Sequence, residues 1–306
     1  MSDSAIARLR LLTGDTATDP DARYVIHEAL GQGGMGVVYR CWDAVLEREV
    51  AMKVTLAPTG PGSAELADRL RTEARVLARL EHAGIVPVHD AGRLPDGRVF
   101  YIMKRIHGRT LAAMMSDGDN RPPLSRRLDM VERVAEAVAF AHDQGVVHRD
   151  LSPSNVMIGD FGEVLVTDWG VAKVMGDAGS IDADTVLGTP GYMAPEQAQG
   201  KAEALGPSAD VYALGAVLRW IGGPDTPPAI RSVIARCMES DPQRRYRDAG
   251  ELLEELRRHR NGERVLAHEE SWLARVARVL KPWRTPILLI AAYLVMRVAV
   301  AYFNRI

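Results

Sequence analysis

Three glycines near the start of the chain have the spacing of a phosphate-binding turn. Residues 31–38 read G-Q-G-G-M-G-V-V, so Gly31, Gly33 and Gly36 form G-x-G-x-x-G. Glycines permit a tight turn and let backbone N–H groups approach phosphate oxygens closely. The pattern also fits a plain hairpin turn, and both interpretations stay open. A dinucleotide-binding fold would need a helix directly after the glycines, whereas the strand-like V-V-Y-R follows here.

A lysine and a glutamate downstream form a second candidate pair. Lys53 ends the strand-like run V-A-M-K, and Glu73 lies on a segment with a helical apolar period. A lysine at the end of such a strand is often a surface residue whose stem covers apolar neighbours. With Glu73 as its ion-pair partner, Lys53 could instead hold bound phosphates.

Three further stretches follow in order: H-R-D-L-S-P-S-N at 148–155, T-D-W-G at 167–170 and G-T-P-G-Y-M-A-P-E at 188–196. With the glycines and the lysine and glutamate pair, this order resembles that of the bacterial Hanks-type serine/threonine protein kinases over residues 22–260. The resemblance implies an α+β, bilobal protein-kinase fold with a strand-rich N-lobe and a helical C-lobe. It also implies ATP and Mg²⁺ as cofactors and a protein as substrate.

The resemblance gives the matching positions their expected roles. Asp150 would accept the proton of the substrate hydroxyl, while Asn155 and Asp168 would hold Mg²⁺ through hard oxygen ligands. Lys53 and Glu73 would hold the α- and β-phosphates. The expected ATP-binding positions are Gly31, Gly33, Gly36, Val38, Ala51, Lys53, Met103, Lys104 and Ile106.

Other matching positions are expected to support the site. These structural residues are His148, Arg149, Glu196, Asp210 and Arg245. Asp210 would brace the catalytic loop, and Glu196 and Arg245 would form a buried ion pair beneath the activation segment, although a solvated surface pair is the alternative. Ser180 and Thr185 are candidate phosphorylation sites whose phosphate would pair with Arg149. The neighbouring aspartates could instead mimic that phosphate.

The chain departs from the family pattern at three places. Ser152 stands where the family has a lysine, and Trp169 stands where it has a phenylalanine. Asp210 and Arg245 are also close in sequence, which predicts that a helix and its flanking loop are missing. Two alternatives therefore remain beside an active protein kinase. One is an ATP-binding pseudokinase scaffold, and the other is a small-molecule kinase, which the A-P-E segment disfavours.

Composition sets outer limits on the function. The chain has 306 residues and a formal net charge of −2, which gives no reason to expect nucleic acid as a partner. Its two cysteines, Cys41 and Cys237, are too few for a disulfide framework and favour a reducing compartment. We therefore expect the kinase domain in the cytoplasm.

Apolar periodicity divides the chain into a strand-rich and a helix-rich part. Residues 22–57, 85–89 and 98–104 look like strands, and residues 63–81 like a helix. Helices are also predicted at 124–144, 208–221, 227–238 and 247–260. The predicted domains are a loose leader at 1–21, the N-lobe at 22–105 and the C-lobe at 106–262.

The tail looks like a membrane attachment. Residues 263–285 form a basic amphipathic juxtamembrane segment, and residues 286–303 form a hydrophobic helix that could span the inner (cell) membrane. The amphipathic segment could contact anionic lipid. It could instead pack on the kinase domain or on a second copy, as in a homodimer.

Overall fold

The structure is a computed structural model, and it describes residues 23–33, 36–56, 63–94, 96–169, 173–174, 188–200, 206–269 and 284–303. The described residues form a strand-rich first part and a helical second part. This is the bilobal architecture that the sequence predicted. The domain boundaries proposed above remain predictions.

The first part is built on a five-stranded antiparallel sheet in the order β1-β2-β3-β5-β4. Its strands are β1 Tyr24–Gln32, β2 Gly36–Asp43, β3 Arg48–Thr55, β4 Val88–Arg93 and β5 Val99–Lys104. β-Branched and aromatic residues fill β2, β3 and β5, as expected for strands that pack on a core. β4 lies at one edge of the sheet.

Helix α1, Ser63–Arg79, packs against the sheet and carries Glu73. Its apolar residues Leu70, Val76 and Leu77, and Leu80 just after its end, recur at helical spacing and are buried. The helix predicted at 63–81 is thus confirmed to within two residues. The packing fixes the side of the helix on which Glu73 lies.

The second part is mainly helical. Its helices are α2 Leu111–Ser116, α3 Leu124–Asp143, α4 Pro195–Ala198, α5 Pro207–Gly222, α6 Pro228–Cys237 and α7 Ala249–Arg260. Helices α3, α5, α6 and α7 pack on one another around the larger core. Gly145 follows α3 with a φ of 73°, which glycine adopts without strain at the end of a helix.

Short strands complete the lobe around the site. They are β6 Gly108–Thr110, β7 Val146–Val147, β8 Val156–Gly159, β9 Val164–Val166 and β10 Lys173–Val174. β6, β8 and β9 form one small sheet, and β7 pairs with β10. The residues between β7 and β8 are the H-R-D-L-S-P-S-N stretch, so a strand in each of these two small sheets holds one of its ends.

The edge strand β4 differs from the prediction at 85–89. It begins at Val88, after Pro87, whose nitrogen has no hydrogen to donate to a strand ladder. Ile85 instead makes an isolated bridge to Val166 of β9. The short connection expected after α5 is present, because α6 begins at Pro228, shortly after α5 ends at Gly222.

The prediction of a membrane-spanning anchor at 286–303 is not supported. The structure has helix α8 at Arg284–Phe303, but no helix among the described residues has both the length and the apolarity needed to cross a membrane. The predicted amphipathic segment lies mostly outside the described residues.

Candidate functional site

The glycine-rich stretch forms the hairpin between β1 and β2. The Gly33 N–H donates to the carbonyl of Gly36 over 2.9 Å. A Cβ on Gly36 would lie 2.2 Å from the carbonyl oxygen of Val54, so this position accepts no side chain. The close approach of β2 to β3 therefore requires glycine at residue 36. Gly34 and Met35, at the tip, lie outside the described residues.

Lys53 joins the two lobes. Its ammonium donates to Glu73 Oε1 and Oε2 over 2.8 and 3.0 Å, and to Asp168 Oδ1 over 2.9 Å. The Tyr101 hydroxyl donates to Glu73 Oε1 over 2.9 Å. Strand β3, helix α1 and the T-D-W-G stretch thus meet at one ammonium group.

The charges of this cluster stabilise one another. Burial lowers the pKa of Lys53, but Tyr101, Glu73 and Asp168 raise it more, so its pKa lies well above the ordinary value. Burial raises the pKa of Asp168, but the adjacent Lys53 ammonium lowers it more. Both groups are therefore charged at neutral pH. The Asp168 side chain is 53% exposed and can receive a cation.

Asp150 has a hydrogen bond at each carboxylate oxygen. Thr189 donates to its Oδ1 from the backbone N–H and from the hydroxyl, over 2.8 and 2.7 Å. Asn155 Nδ2 donates to its Oδ2 over 3.2 Å and to its backbone carbonyl over 2.7 Å. The carboxylate is therefore oriented from both sides.

Asp210 holds the H-R-D-L-S-P-S-N stretch from below. Its buried carboxylate accepts the backbone N–H groups of His148 and Arg149, each over 2.8 Å. His142 Nδ1 accepts the N–H of Ala249 at the start of α7, so its Nε2–H donates to Asp210 over 2.9 Å. Burial raises the pKa of Asp210, but these donors lower it more, and the carboxylate stays ionised.

His148 ties Asp150 to Asp168. Its Nε2–H donates to the carbonyl of Thr167 over 3.0 Å, while its Nδ1 accepts the Asp150 N–H over 3.2 Å. The ring also packs on Trp169, with centroids 4.6 Å apart. Trp169 is fully buried, and its indole N–H donates to Val166, so the larger aromatic is accommodated with its polar atom paired.

Two residues of the site have left-handed backbone. Arg149 has a φ of 70° and Asp168 a φ of 58°, a region that non-glycine residues rarely adopt. The Arg149 N–H is held by Asp210. Asp168 follows Thr167, whose carbonyl is held by His148. Such strain persists only where surrounding contacts enforce it, and it is common at functional sites.

Glu196 and Arg245 form a bidentate ion pair with distances of 2.7 and 2.8 Å. The Arg245 side chain has no exposed surface, and it also donates to backbone carbonyls of Ser208, Glu239 and Ser240. The pair is therefore buried and anchors α4 beneath the stretch that contains Thr189. A solvated surface pair is excluded.

The residues expected around the adenine lie on facing strands. Val38 pairs with Lys53 across β2 and β3, and Ala51 pairs with Met103 across β3 and β5. The Lys104 N–H donates to the Pro87 carbonyl over 3.1 Å. Ile106 is half-buried just beyond β5. Val38, Ala51 and Met103 therefore lie on the same sheet as Lys53.

Two buried polar groups near Asp150 have no hydrogen-bond partner among the described residues. They are the Ser152 hydroxyl, in a side chain only 1% exposed, and Nε of Arg149. Burial also lowers the pKa of Arg149. The candidate phosphorylation sites Ser180 and Thr185 lie outside the described residues.

Sequence reasoning missed three residues that position the site: Thr189, Tyr101 and His142. Thr189 stands in the recognised G-T-P-G-Y stretch, so its motif could have indicated it. Tyr101 and His142 are recognisable only from the packing, because their partners are 28 and 68 residues away.

The donor set fits Mg²⁺ bound together with phosphate. Asn155 and Asp168 supply one amide oxygen and one carboxylate, which are hard ligands. The described residues contain no group of three or more His, Cys, Asp or Glu that could hold a metal ion. A metal at this position would therefore need oxygen ligands from a nucleotide or from water.

Comparisons with known proteins agree with this geometry. The protein kinase domain family matches residues 24–227. A probable serine/threonine-protein kinase of Clostridium acetobutylicum is 33% identical over 78% of this chain and 40% of its own length. PknA of Mycobacterium tuberculosis, a serine/threonine-protein kinase, is 35% identical over 79% of this chain and 62% of its own.

A DNA damage-responsive serine/threonine-protein kinase of Deinococcus radiodurans, RqkA, is 40% identical over 64% of this chain and 29% of its own length. The chain thus covers less than two thirds of the length of each of these relatives.

Proposed function

Because the chain belongs to the bacterial Hanks-type serine/threonine protein kinases, we propose that it transfers the γ-phosphoryl group of ATP to serine or threonine hydroxyls of proteins. The observation that carries this proposal is the Lys53 ammonium, which bonds Glu73 of one lobe and Asp168 of the other. This contact holds the lobe that would bind ATP next to the lobe that carries Asp150.

Asp150 accepts the hydroxyl proton as the oxygen attacks the γ-phosphorus. Thr189 and Asn155 each bond one carboxylate oxygen, so the Asp150 side chain is held in one rotamer before the substrate hydroxyl arrives. The phosphoryl group passes to the hydroxyl oxygen, and ADP leaves. Positioning and charge stabilisation supply most of the rate enhancement in such transfers.

Lys53 binds phosphate oxygens, and the glycine hairpin covers them with backbone N–H groups. Asn155 and Asp168 would hold Mg²⁺, which neutralises charge on the phosphates when it is bound. Val38, Ala51, Met103, Lys104 and Ile106 would enclose the adenine.

A pseudokinase scaffold is the second candidate, and Ser152 favours it. A lysine at this position would stabilise charge on the moving phosphoryl group, whereas the Ser152 hydroxyl is buried without a partner among the described residues. A lysine of this kind would lower the activation free energy by about 3 kcal/mol. The intact Lys53, Glu73, Asp150, Asn155 and Asp168 set nevertheless supports catalysis at a reduced rate.

The test is phosphate transfer by the full chain with Mg²⁺, γ-labelled ATP and a generic basic protein. Asp150→Asn should abolish transfer, and Asp160→Asn, an exposed aspartate outside the cleft, is the matched control. Labelling that persists in Asp150→Asn would come from a contaminating kinase. ATP binding without any transfer by the unaltered chain would favour the scaffold.

We place the domain in the cytoplasm, where ATP and reduced thiols are available. Cys41 and Cys237 are free and buried, and burial raises the pKa of the Cys41 thiol to about 12. Both are therefore unreactive core residues. Contact of residues 263–285 with anionic lipid, homodimer formation and phosphorylation of Ser180 or Thr185 stay predictions.

A further inference from the structure

A row of charged side chains crosses the sheet on the face that carries Lys53. Glu49, Ala51 and Lys53 alternate along β3, so their side chains project to the same face of the sheet. Lys53 is expected at the phosphates of a bound nucleotide, and Ala51 at its adenine. Glu49 therefore lies about 7 Å beyond the adenine position, on the side away from the phosphates.

Glu49 accepts hydrogen bonds from arginines on two sides. Arg40 of β2 donates through Nη1 to Glu49 Oε1 over 3.0 Å, and through Nε to Glu28 of β1 over 2.9 Å. Arg105 donates to Glu49 Oε2 from the residue that follows β5. The Arg40 guanidinium lowers the pKa of Glu49, so the carboxylate is charged at neutral pH. This one carboxylate therefore joins three strands of the sheet to the chain that leaves it.

The inter-lobe connection, residues 104–107, begins where the backbone ladder stops. The ladder between β3 and β5 ends at the pair Val50 and Lys104. Beyond that pair, side-chain contacts to Glu49 take its place. Arg105 bonds Glu49 Oε2, and His107 Nε2 lies 3.6 Å from the same oxygen. The adenine is expected along this connection, so Glu49 fixes one wall of the adenine site to the sheet.

The same connection is also bonded to the second lobe. The Asp160 N–H, between β8 and β9, donates to the His107 carbonyl over 2.9 Å. Opening of the two lobes at this connection would therefore pull Arg105 away from Glu49. A site whose two walls are held at a fixed separation before binding retains its ligand better than one that must first be ordered.

We propose that Glu49 is a positioning residue for the nucleotide, which acts through Arg105 as a latch between the sheet and the inter-lobe connection and slows nucleotide release. The inference rests on the proposed function, because it takes this face of the sheet as the adenine site. The side chains of Arg105 and Glu49 are 20% and 31% exposed, so salt reaches the latch and weakens it.

Release of a fluorescent ADP analogue from the full chain tests the latch. The chain is loaded with the analogue and Mg²⁺, and release is followed after mixing with excess ATP. Glu49→Gln should release the analogue about three- to fivefold faster than the unaltered chain, since one or two partly exposed ion pairs are lost. Glu47→Gln makes the same charge change in the turn before β3, where Glu47 has no ion pair with any described residue, and should leave release unaltered.

Two further measurements separate a latch from a general loosening of the sheet. Arg105→Gln should match Glu49→Gln, and the double variant should release the analogue no faster than either single variant, because both changes remove the same contact. Adenosine has no phosphate charge, and its binding is measured by competition with the analogue. Raising NaCl from about 0.05 to about 0.5 M should weaken adenosine binding in the unaltered chain and leave it unchanged in Glu49→Gln.

Release from Glu49→Gln at the unaltered rate or more slowly would overturn the latch. So would single effects that multiply in the double variant, or a salt dependence of adenosine binding that persists in Glu49→Gln. If the unaltered chain binds neither ADP nor adenosine, the proposed function fails and the latch fails with it. If the unaltered chain transfers phosphate while Glu49→Gln releases the analogue at the unaltered rate, the latch alone fails.

Discussion

The buried contact between Lys53 and Glu73 gives the sharpest prediction about stability. Glu73 has no exposed side-chain surface and Lys53 is 8% exposed, so water solvates neither charge well in the folded chain. Removing one partner of a buried pair costs about 3–5 kcal/mol. Glu73→Gln should cost about 3 kcal/mol, at the low end, because Asp168 still pairs with Lys53.

Lys53→Met should cost more, about 4 kcal/mol, because it leaves the Glu73 carboxylate with only the Tyr101 hydroxyl. The double variant leaves no buried charge at the pair. Its loss should therefore be smaller than the sum of the single losses by at least about 2 kcal/mol. Tyr101→Phe removes one hydrogen bond to a charged group and should cost about 1.5 kcal/mol.

The assay is urea unfolding of all four variants and the unaltered chain, followed by tryptophan fluorescence, together with phosphate transfer. Glu73→Gln should also lose most of its transfer activity, since Lys53 then lacks a fixed position. Lys53→Met should lose it because the ammonium proposed to bind the phosphates is gone. A coupling energy below about 0.5 kcal/mol would refute the reasoning, as would a Glu73→Gln chain that unfolds at the same urea concentration as the unaltered chain.

Three other predictions concern the catalytic loop. Thr189→Val removes the hydroxyl bond to Asp150 and should lower kcat about tenfold or more, whereas Thr189→Ser should retain the rate. Ser152→Lys should raise kcat by up to about a hundredfold with little change in KM. Ser152→Met introduces a side chain of similar size without charge and should not raise kcat. Equal effects of the two substitutions would refute the argument from charge. The pKa of Asp210 is below its ordinary value of 3.8 in the folded chain, so its contribution to stability is complete above that value and is lost as the pH falls through the lower folded value. Asp210→Asn should therefore be less stable at pH 7 and should lose less stability between pH 5 and pH 2 in denaturant titrations; an unaltered pH dependence would contradict this.

Much of the fold could be predicted because the longer helices have strong apolar periods. Helices α1, α3 and α5 to α7 begin and end within about three residues of their predicted bounds. The strands β6 to β10 were not predicted, because two to four residues are too few to show an apolar alternation. They form because neighbouring segments supply their ladder partners, which sequence alone does not contain.

The site divides in the same way. Asp150, Asn155 and Asp168 are recognisable because their motifs are local. Their supporting partners come from distant positions, and only the packed chain brings Thr189 and His142 to them. The tail helix was predicted from its apolar composition and is present at Arg284–Phe303, but among the described residues its role as a membrane span is not supported.

The two hydrogen bonds that link Ala249 through His142 to Asp210, a relay between α7 and the loop, have a consequence for synthesis of the protein on the ribosome. Helix α7 is made some hundred residues after the loop that it supports through this relay. A nascent chain that lacks α7 leaves His142 Nδ1 without its donor and the brace under Asp150 unfinished. The chain must therefore be made as far as α7 before this relay can form. We expect a product truncated before α7 to transfer little or no phosphate.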